Sequence, residues 1–238
     1  MKNRLLGLIG VSFTIFCLAA VSARAFDPSK SPKKPSLEKI RVDWDDAKLL
    51  APGGYARVHR LNDGRYMAVY SRGGDGCFKF SPDGWTGWSP QRTAMRHGNY
   101  EAPTKVVVSN AEFAQLSENN PHHPGRIIYA ANIRPVENRS SLTPYTIAIS
   151  TSDDAGRTWS AIQDVYNSRI WDKDVLRGCY EPCVLELPDG TVQIYFADET
   201  PYYERRLPYQ NISVIESKDG GDTWGPARIV CYNEKFRD

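Results

Sequence analysis

The sequence feature that most constrains the fold is an eight-residue pattern, S-x-D-x-G-x-T-W, which covers residues 152–159 and occurs again at 217–224. A third, degraded copy at 81–88 keeps Ser81, Asp83 and Trp88, whereas its Gly and Thr have shifted. An Asp that accepts backbone N–H bonds, a Gly with positive φ and an aromatic residue opening the next strand are typical of a tight hairpin turn. The repeat therefore predicts several supersecondary units, each closed by the same structural turn.

Hairpin signals precede these turns. Asn62-Asp63-Gly64 lies between the predicted strands 56–61 and 66–70, and Pro188-Asp189-Gly190 lies between the predicted strands 184–187 and 192–196. Asp-Gly between β-branched and aromatic runs is one of the strongest short hairpin signals. Both segments therefore predict the first hairpin of a unit.

Further strands complete each unit. In the middle unit, the predicted strands 105–108 and 126–131 bracket a longer connection rich in Asn, His and Pro. The strand 145–150 of the middle unit and the strand 211–216 of the third unit lead directly into the repeated turns. Beyond residue 36, only 110–118 could form a helix, of one or two turns. Four-stranded units of roughly 50 to 70 residues predict an all-β fold, a β-propeller.

Charge and composition exclude some classes of protein. The 238 residues include 30 Lys+Arg and 28 Asp+Glu, a net charge of +2, which disfavours a nucleic-acid partner. With 24% charged and 41% hydrophobic residues, the chain has the composition of a soluble globular protein.

Residues 1–25 are predicted to be a secretory signal peptide. Lys2 and Arg4 precede the apolar run 5–20, and Ala23-Arg24-Ala25 matches a small-x-small cleavage site. The run is shorter than the roughly 20 residues of a membrane-spanning helix, although an uncleaved anchor is the alternative. Removal of the signal leaves 27 basic and 28 acidic residues, a net charge of −1. We expect a secreted or periplasmic protein without a membrane span, in which 26–49 leads into a propeller at 50–238.

The sequence predicts no metal and no cofactor. His122-His123 has no further clustered ligands, nor has Cys179-x3-Cys183. The glycine-rich segment 73–76 lacks the Lys-Ser/Thr of a phosphate loop.

Four cysteines follow the signal, namely Cys77, Cys179, Cys183 and Cys231. An even count in an oxidising compartment allows disulfides, and three pairings are possible. Residues four apart in one strand lie about 13 Å apart, too far for a bond between Cys179 and Cys183. Free or separately paired buried cysteines are therefore expected.

The repeated turn resembles the Asp-box of the sialidase superfamily, whose members are six-bladed β-propellers. The resemblance covers most of residues 50–238 and implies a propeller of which about three blades are present. We therefore expect a C-terminally truncated chain. The alternative is a half-propeller that dimerises.

The third unit is also similar to the exo-arabinanase-type glycoside hydrolases, through Tyr180-Glu181-Pro182, the turn at 188–190, Ala197-Asp198-Glu199 and Tyr209-Gln210-Asn211. This resemblance implies that Glu181 is one of two catalytic carboxylates and that its partner lies beyond residue 238. A Glu between an aromatic residue and a Pro at a strand entrance would be rigid and partly desolvated. The alternative is a solvated strand-entry Glu. Asp198, Glu199 and Gln210 are candidate pocket residues.

True sialidases bind the substrate carboxylate through three arginines and use an Asp as the acid. By position, Arg57 matches the first arginine and Asp75 the acid. Ala56-Arg57-Val58-His59 replaces the usual Arg-Ile-Pro, so Arg57 could equally be a rim arginine. Trp171 and Tyr202-Tyr203 lie in long connections and could stack on sugars.

These resemblances imply a secreted, exo-acting, retaining glycoside hydrolase that acts on an oligo- or polysaccharide with arabinan-like or sialoside ends. Because retaining hydrolysis needs two carboxyl groups, or a Tyr nucleophile, this fragment alone should be inactive. The alternative is a non-catalytic propeller that binds a glycan or a protein.

Overall fold

The computed structural model describes residues 49–84, 86–137, 143–168, 178–201 and 210–231. The predicted signal peptide and nearly all of the predicted lead-in lie outside these residues. The described residues form twelve strands in three four-stranded antiparallel sheets, each with its strands in sequence order. They contain no helix that is long and apolar enough to cross a membrane.

The first sheet comprises β1 (Gly54–Arg60), β2 (Tyr66–Arg72), β3 (Asp75–Ser81) and β4 (Arg92–Met95), followed by a 3-10 turn at His97–Asn99. The second comprises β5 (Val106–Gln115), β6 (Ile127–Pro135), β7 (Thr146–Ser152) and β8 (Gln163–Asn167). The third comprises β9 (Cys179–Glu186), β10 (Val192–Asp198), β11 (Asn211–Ser217) and β12 (Arg228–Cys231).

The two Asp-Gly hairpins form where the sequence predicts them. The Leu61 amide donates to the Arg65 carbonyl oxygen at 2.7 Å, and the Leu187 amide donates to that of Thr191 at 2.8 Å. The third turn residue, Gly64, has φ +88, a conformation that glycine adopts without the steric cost of a Cβ.

The three repeated turns share one hydrogen-bond pattern. The Asp carboxylate accepts the Thr amide in each turn, at 2.7 Å for Asp83, 2.9 Å for Asp154 and 2.9 Å for Asp219. The degraded first copy therefore forms the same kind of turn, although its Thr lies one position earlier. Side-chain acceptance of turn amides, predicted from the pattern, is confirmed.

The second sheet packs between the other two, and β6 is buried on both faces. Ile127 and Tyr129 belong to the core shared with the first sheet, and Ile128 and Ala130 to the core shared with the third. Successive side chains of a strand point to opposite faces, so a strand between two cores needs an uninterrupted apolar run.

Each first strand carries a bulge at the same place. The positive-φ residues are Tyr55 (φ 59), Asn110 (φ 53) and Glu181 (φ 56), and the register shifts in each sheet at that point. Residues 110–115, for which one or two helical turns were the possible alternative, belong to strand β5. The strands β1, β5 and β9 pack side by side, β5 in the middle, so the bulges lie where the sheets converge.

Candidate functional site

Glu181 lies in the bulge of β9, where it and Pro182 stand opposite the single residue Phe196 of β10. Its side chain is exposed, whereas Pro182 is buried. Glu181 was expected at a strand entrance and partly desolvated, but it is the third residue of β9 and faces solvent. The left-handed backbone of the bulge re-aims the side chain, as bulges commonly do.

Tyr55, in the equivalent bulge of β1, lies beside Glu181. Burial and a hydrogen bond to the Glu181 carboxylate raise the pKa of the Tyr55 phenol, and Arg57 opposes the rise. The Arg57 guanidinium lies over the Tyr55 ring, 4.5 Å from its centroid. Residues of the first and third sheets therefore meet at this point.

Glu112 follows the β5 bulge by two positions, as Arg57 follows the β1 bulge. Its Oε1 lies 2.9 Å from His59 Nε2 and accepts the Phe113 amide at 2.7 Å, and its Oε2 lies 3.7 Å from Arg57 Nε. The hydrogen bond to Glu112 raises the pKa of His59, although burial and Arg57 oppose the rise. Glu112 is therefore a largely buried carboxylate compensated by two basic groups.

Cys183 follows the β9 bulge residue by two positions, as Arg57 and Glu112 follow those of β1 and β5. Burial and the Glu112 charge raise the pKa of its thiol, and Arg57 lowers it. We use the name inner-strand cluster for Tyr55, Arg57, His59, Glu112, Glu181 and Cys183.

Sequence reasoning identified Arg57 and Glu181 in this cluster but missed Tyr55, His59 and Glu112. Glu112 could have been identified by its position two residues after a bulge. Recognising that position requires aligning β5 with β1 and β9, and the sequence does not mark the bulge, because 110–118 contains neither Gly nor Pro, the residues that commonly accompany irregular backbone.

Asp198, a predicted pocket residue, is buried and fully engaged. Its Oδ2 accepts hydrogen bonds from Tyr166 Oη at 2.8 Å and Ser213 Oγ at 3.1 Å, and its Oδ1 accepts the Thr200 amide at 2.9 Å. With 2% exposure, Asp198 joins the third sheet to the second. The structure does not place it in the inner-strand cluster.

Glu199 and Gln210, two of the candidate pocket residues, contact each other in the structure. Glu199 accepts the Gly178 amide at 2.9 Å, Tyr180 Oη at 3.2 Å and Gln210 Nε2 at 3.3 Å. Burial and the nearby Glu199 raise the pKa of Tyr180. A Cβ at Gly178 would lie 2.2 Å from the Tyr180 ring, so glycine is required for this contact. Tyr180 is the residue preceding Glu181, so its hydrogen bond to Glu199 links the Glu199–Gln210 pair to the neighbour of Glu181.

Asp75 lies at the start of β3, and its partner is His97. Its Oδ1 accepts the His97 amide at 3.0 Å and lies 2.6 Å from His97 Nδ1. These contacts bind the β2–β3 turn to the 3-10 turn, and the structure does not bring Asp75 into the inner-strand cluster.

No group of three or more His, Cys, Asp or Glu side chains within the described ranges is arranged to hold a metal ion. Cys77, Cys179, Cys183 and Cys231 are all free thiols, the first two buried and the last two exposed. The predicted rim residues Trp171, Tyr202 and Tyr203 lie outside the described residues.

No protein-family model matches the chain, and no curated protein matches it. Several solved structures, however, match the chain. An α-L-arabinanase of Penicillium chrysogenum complexed with arabinobiose is 18% identical with a TM-score of 0.56, over 75% of this chain and 49% of that one. The GH93 α-L-arabinofuranosidase of Fusarium graminearum with arabinobiose is 16% identical with a TM-score of 0.54, over 76% and 50%. A Hadza microbial sialidase is 18% identical with a TM-score of 0.54, over 71% and 36%.

At these identities the likeness concerns the fold. The three sheets have a sialidase-like β-propeller fold, which they share with the arabinanase, the arabinofuranosidase and the sialidase. The chain spans about half the length of the arabinanase and of the arabinofuranosidase, and about a third of the sialidase. The predicted fold class is confirmed, and we refer to the three sheets below as blades.

Proposed function

We propose that this protein acts as a secreted, exo-acting, retaining glycoside hydrolase on glycan termini. The observation that carries the proposal is the position of Glu181: an exposed carboxylate in a left-handed bulge where the first strands converge. Non-glycine residues held in this conformation cluster at functional sites. Solved structures that share the fold include an arabinanase, an arabinofuranosidase and a sialidase.

Glu181 serves as nucleophile or as acid/base. The adjacent Tyr55 phenol can donate a hydrogen bond to this carboxylate and fix its orientation. Arg57, His59 and Glu112 carry donors and an acceptor that suit sugar hydroxyls, and the Glu199–Gln210 pair provides further polar contacts nearby.

Retaining hydrolysis requires a second carboxyl group. Glu112 is hydrogen-bonded to His59 and the Phe113 amide, and Glu199 to Gly178 and Tyr180. Carboxylates held in this way suit substrate positioning rather than proton transfer. We therefore propose that neither of them is the second catalytic carboxylate, which the resemblance to the exo-arabinanase-type enzymes assigns to a blade beyond residue 238.

The electrostatics favour a neutral, arabinan-like end over a sialoside. Arg57 is the cationic group that would bind a sialic acid carboxylate, yet it already faces Glu112 at 3.7 Å. An anionic substrate would have to compete with that carboxylate, whereas a neutral sugar would not.

The test is hydrolysis of aryl arabinofuranoside, arabinan and sialoside substrates by the full-length secreted protein. Glu181→Gln should lower kcat/KM by at least about 100-fold, because it removes the catalytic charge while keeping the side-chain shape. Glu118→Gln, an exposed glutamate that accepts a bond from Asn62, is the matched control and should leave the rate unchanged. A Glu181→Gln variant that keeps more than about a tenth of the wild-type rate would remove Glu181 from the mechanism.

The second candidate function is a non-catalytic module that binds a glycan or a protein. The observation in its favour is that Glu112 and Glu199 are both engaged in internal hydrogen bonds. A binding module predicts saturable binding without turnover, and binding that survives Glu181→Gln.

Export is tested separately. N-terminal sequencing of the protein recovered outside the cytoplasm should start at Phe26 if the signal peptide is cleaved after Ala25. A mature protein that still begins at Met1 would contradict cleavage.

A further inference from the structure

A cleft of about 390 Å³ lies between the first and second blades, away from the inner-strand cluster. Its first wall is formed by β4 and the residues after it, including Arg96 and Asn99. Its second wall is formed by residues 157–162, in the repeated turn and the connection that follows β7. Clefts of roughly 300–1,000 Å³ are the usual size of small-ligand sites.

The cleft is electropositive. Arg96 and Arg157 are both exposed, one on each wall, and no Asp or Glu lines the cleft. Within the described ranges, neither guanidinium forms an ion pair or a hydrogen bond with a carboxylate. Arg92 adds a third positive charge and joins the walls, because its Nη2 donates to the Arg157 carbonyl at 2.8 Å and its guanidinium lies 5.2 Å from the Phe78 ring.

Arg157 also borders a neighbouring cleft that contains the carboxylates of Asp63, Glu118, Asp153 and Asp154. Each of them already accepts hydrogen bonds from another group, respectively Arg65, Asn62, Arg126 and Thr158. These carboxylates are therefore already engaged by other groups, and none of them pairs with the Arg157 guanidinium, which leaves it available for an external anion.

Trp159 lines the same cleft, and its ring packs edge-on against Phe78 of the first blade and Tyr129 of the second. This aromatic packing fixes the position of the cleft walls relative to each other.

We propose that the cleft binds an anionic sugar residue of a glycan chain, through the carboxylate of a uronate or through a sulfate group. Arg96 and Arg157 hold the oxyanion from opposite walls, since a guanidinium can bond two oxygens of one carboxylate or of one tetrahedral oxyanion at the same time. Asn99, which is exposed on the first wall, provides a donor for a neighbouring sugar oxygen. The choice of a glycan rests on the proposed function, but the site does not depend on catalysis.

The experiment is calorimetric titration of the full-length protein carrying Glu181→Gln, which prevents turnover. The probes are a galacturonate disaccharide, galactose 6-sulfate, inorganic phosphate and neutral arabinobiose. We expect saturable binding of at least one acidic sugar. Arg96→Gln and Arg157→Gln should each raise its Kd about tenfold, and the double variant should abolish binding. Lys218→Gln removes an exposed positive charge from the third blade and should leave Kd within about twofold.

Arg96→Lys and Arg157→Lys retain the charge but lose the bidentate donors, so they should weaken binding by a smaller factor than the Gln variants. They also replace the Gln variants if either of those fails to fold. The proposal is overturned if neither acidic sugar binds, if phosphate alone binds, or if the double variant binds as well as the parent.

Failure of this proposal is distinguishable from failure of the proposed function. The Gln variants at Arg96 and Arg157 in the otherwise wild-type protein should hydrolyse a neutral aryl arabinofuranoside at the parent rate. A protein without any hydrolase activity could still bind acidic sugars in this cleft.

Discussion

Glu181 combines a position of proposed chemical importance with an unfavourable backbone. Its φ of 56° lies in the left-handed region, where a Cβ costs about 1–2 kcal/mol. Tyr55 and Asn110 repeat the conformation in the other two blades. The bulge therefore belongs to the architecture, and the residue type in it varies from blade to blade.

This strain can be measured at Glu181. We expect Glu181→Gly to have a free energy of unfolding about 1 kcal/mol above that of Glu181→Ala, because only glycine accepts the positive φ without a steric cost. At Glu199, whose φ is not positive, Ala should instead be the more stable of the two. Urea denaturation of the four variants checks both orders, and equal stabilities of the two Glu181 variants would show that the position is relaxed in solution.

His59 offers a direct probe of the inner-strand cluster. Its hydrogen bond to Glu112 raises its pKa above the ordinary 6.5, so the cation is favoured in the folded protein. The stabilisation from this pair is fully present below the unfolded pKa and is lost as pH rises through the folded value. We expect NMR titration to give a His59 pKa that falls in Glu112→Gln.

Glu118→Gln is the control for this titration, because Glu118 bonds Asn62 instead of His59. An unchanged His59 pKa in Glu112→Gln would mean that the two side chains do not pair in solution.

At the scale of elements, the repeated turns of the second and third blades are joined by one buried arginine. Arg126 Nε donates to Asp153 Oδ1 at 2.6 Å, and its Nη1 donates to Asp222 Oδ1 at 2.6 Å and to the Gly220 carbonyl at 3.1 Å. The Arg126 side chain is 7% exposed, whereas both carboxylates are about half exposed. These ion pairs therefore contribute more to the stability of the fold than an ordinary surface ion pair does.

We expect Arg126→Met to lower the free energy of unfolding by about 1–3 kcal/mol, since it leaves a buried carbonyl and two carboxylates without their donor. Arg126 lowers the pKa values of Asp153 and Asp222 in the folded state. Their contribution is therefore present above about pH 4 and is lost as pH falls through the folded values. Urea midpoints measured from pH 7 to pH 3 should show a shallower decline for Arg126→Met.

Arg228→Met is the matched control, because Arg228 forms an exposed pair with Glu216 and should cost less than about 1 kcal/mol. Equal losses for the two variants would contradict a special role for Arg126.

Local chemistry made the turns and hairpins predictable. The Asp, Gly and Thr of each repeated turn lie within a few residues of each other, and so do the Asp-Gly hairpins, so short sequence windows contain their hydrogen bonds. The β5 bulge at Asn110 was not predictable in this way. It is stabilised by pairing with β6 and by packing against the first strands of the other blades, interactions that no local window records.

At the scale of the molecule, the four thiols divide by position in the blades. Cys77 and Cys179 are buried, and burial raises the pKa of each. Cys183 and Cys231 are exposed. Because a reagent reaches exposed thiols and not buried ones, we expect a maleimide to modify, of these four, only Cys183 and Cys231 in the native protein and all four after unfolding.

Peptide mass spectrometry assigns the modified positions. Cys183→Ser should reduce the native count to one. Recovery of a disulfide-linked pair among the four peptides would contradict the free thiols of the structure.

The all-β class, the first hairpins, the three repeated turns and the choice of Glu181 as a candidate could be inferred from the sequence, because each depends on residues close together in the chain. The sequence did not reveal which side chains meet, and the folded structure does. It placed Tyr55 beside Glu181 and Glu112 beside His59, tied Asp198 into the core, and left Arg96 and Arg157 facing one cleft. The physical reason is that these contacts join different blades or distant strands, and packing between sheets sets their geometry.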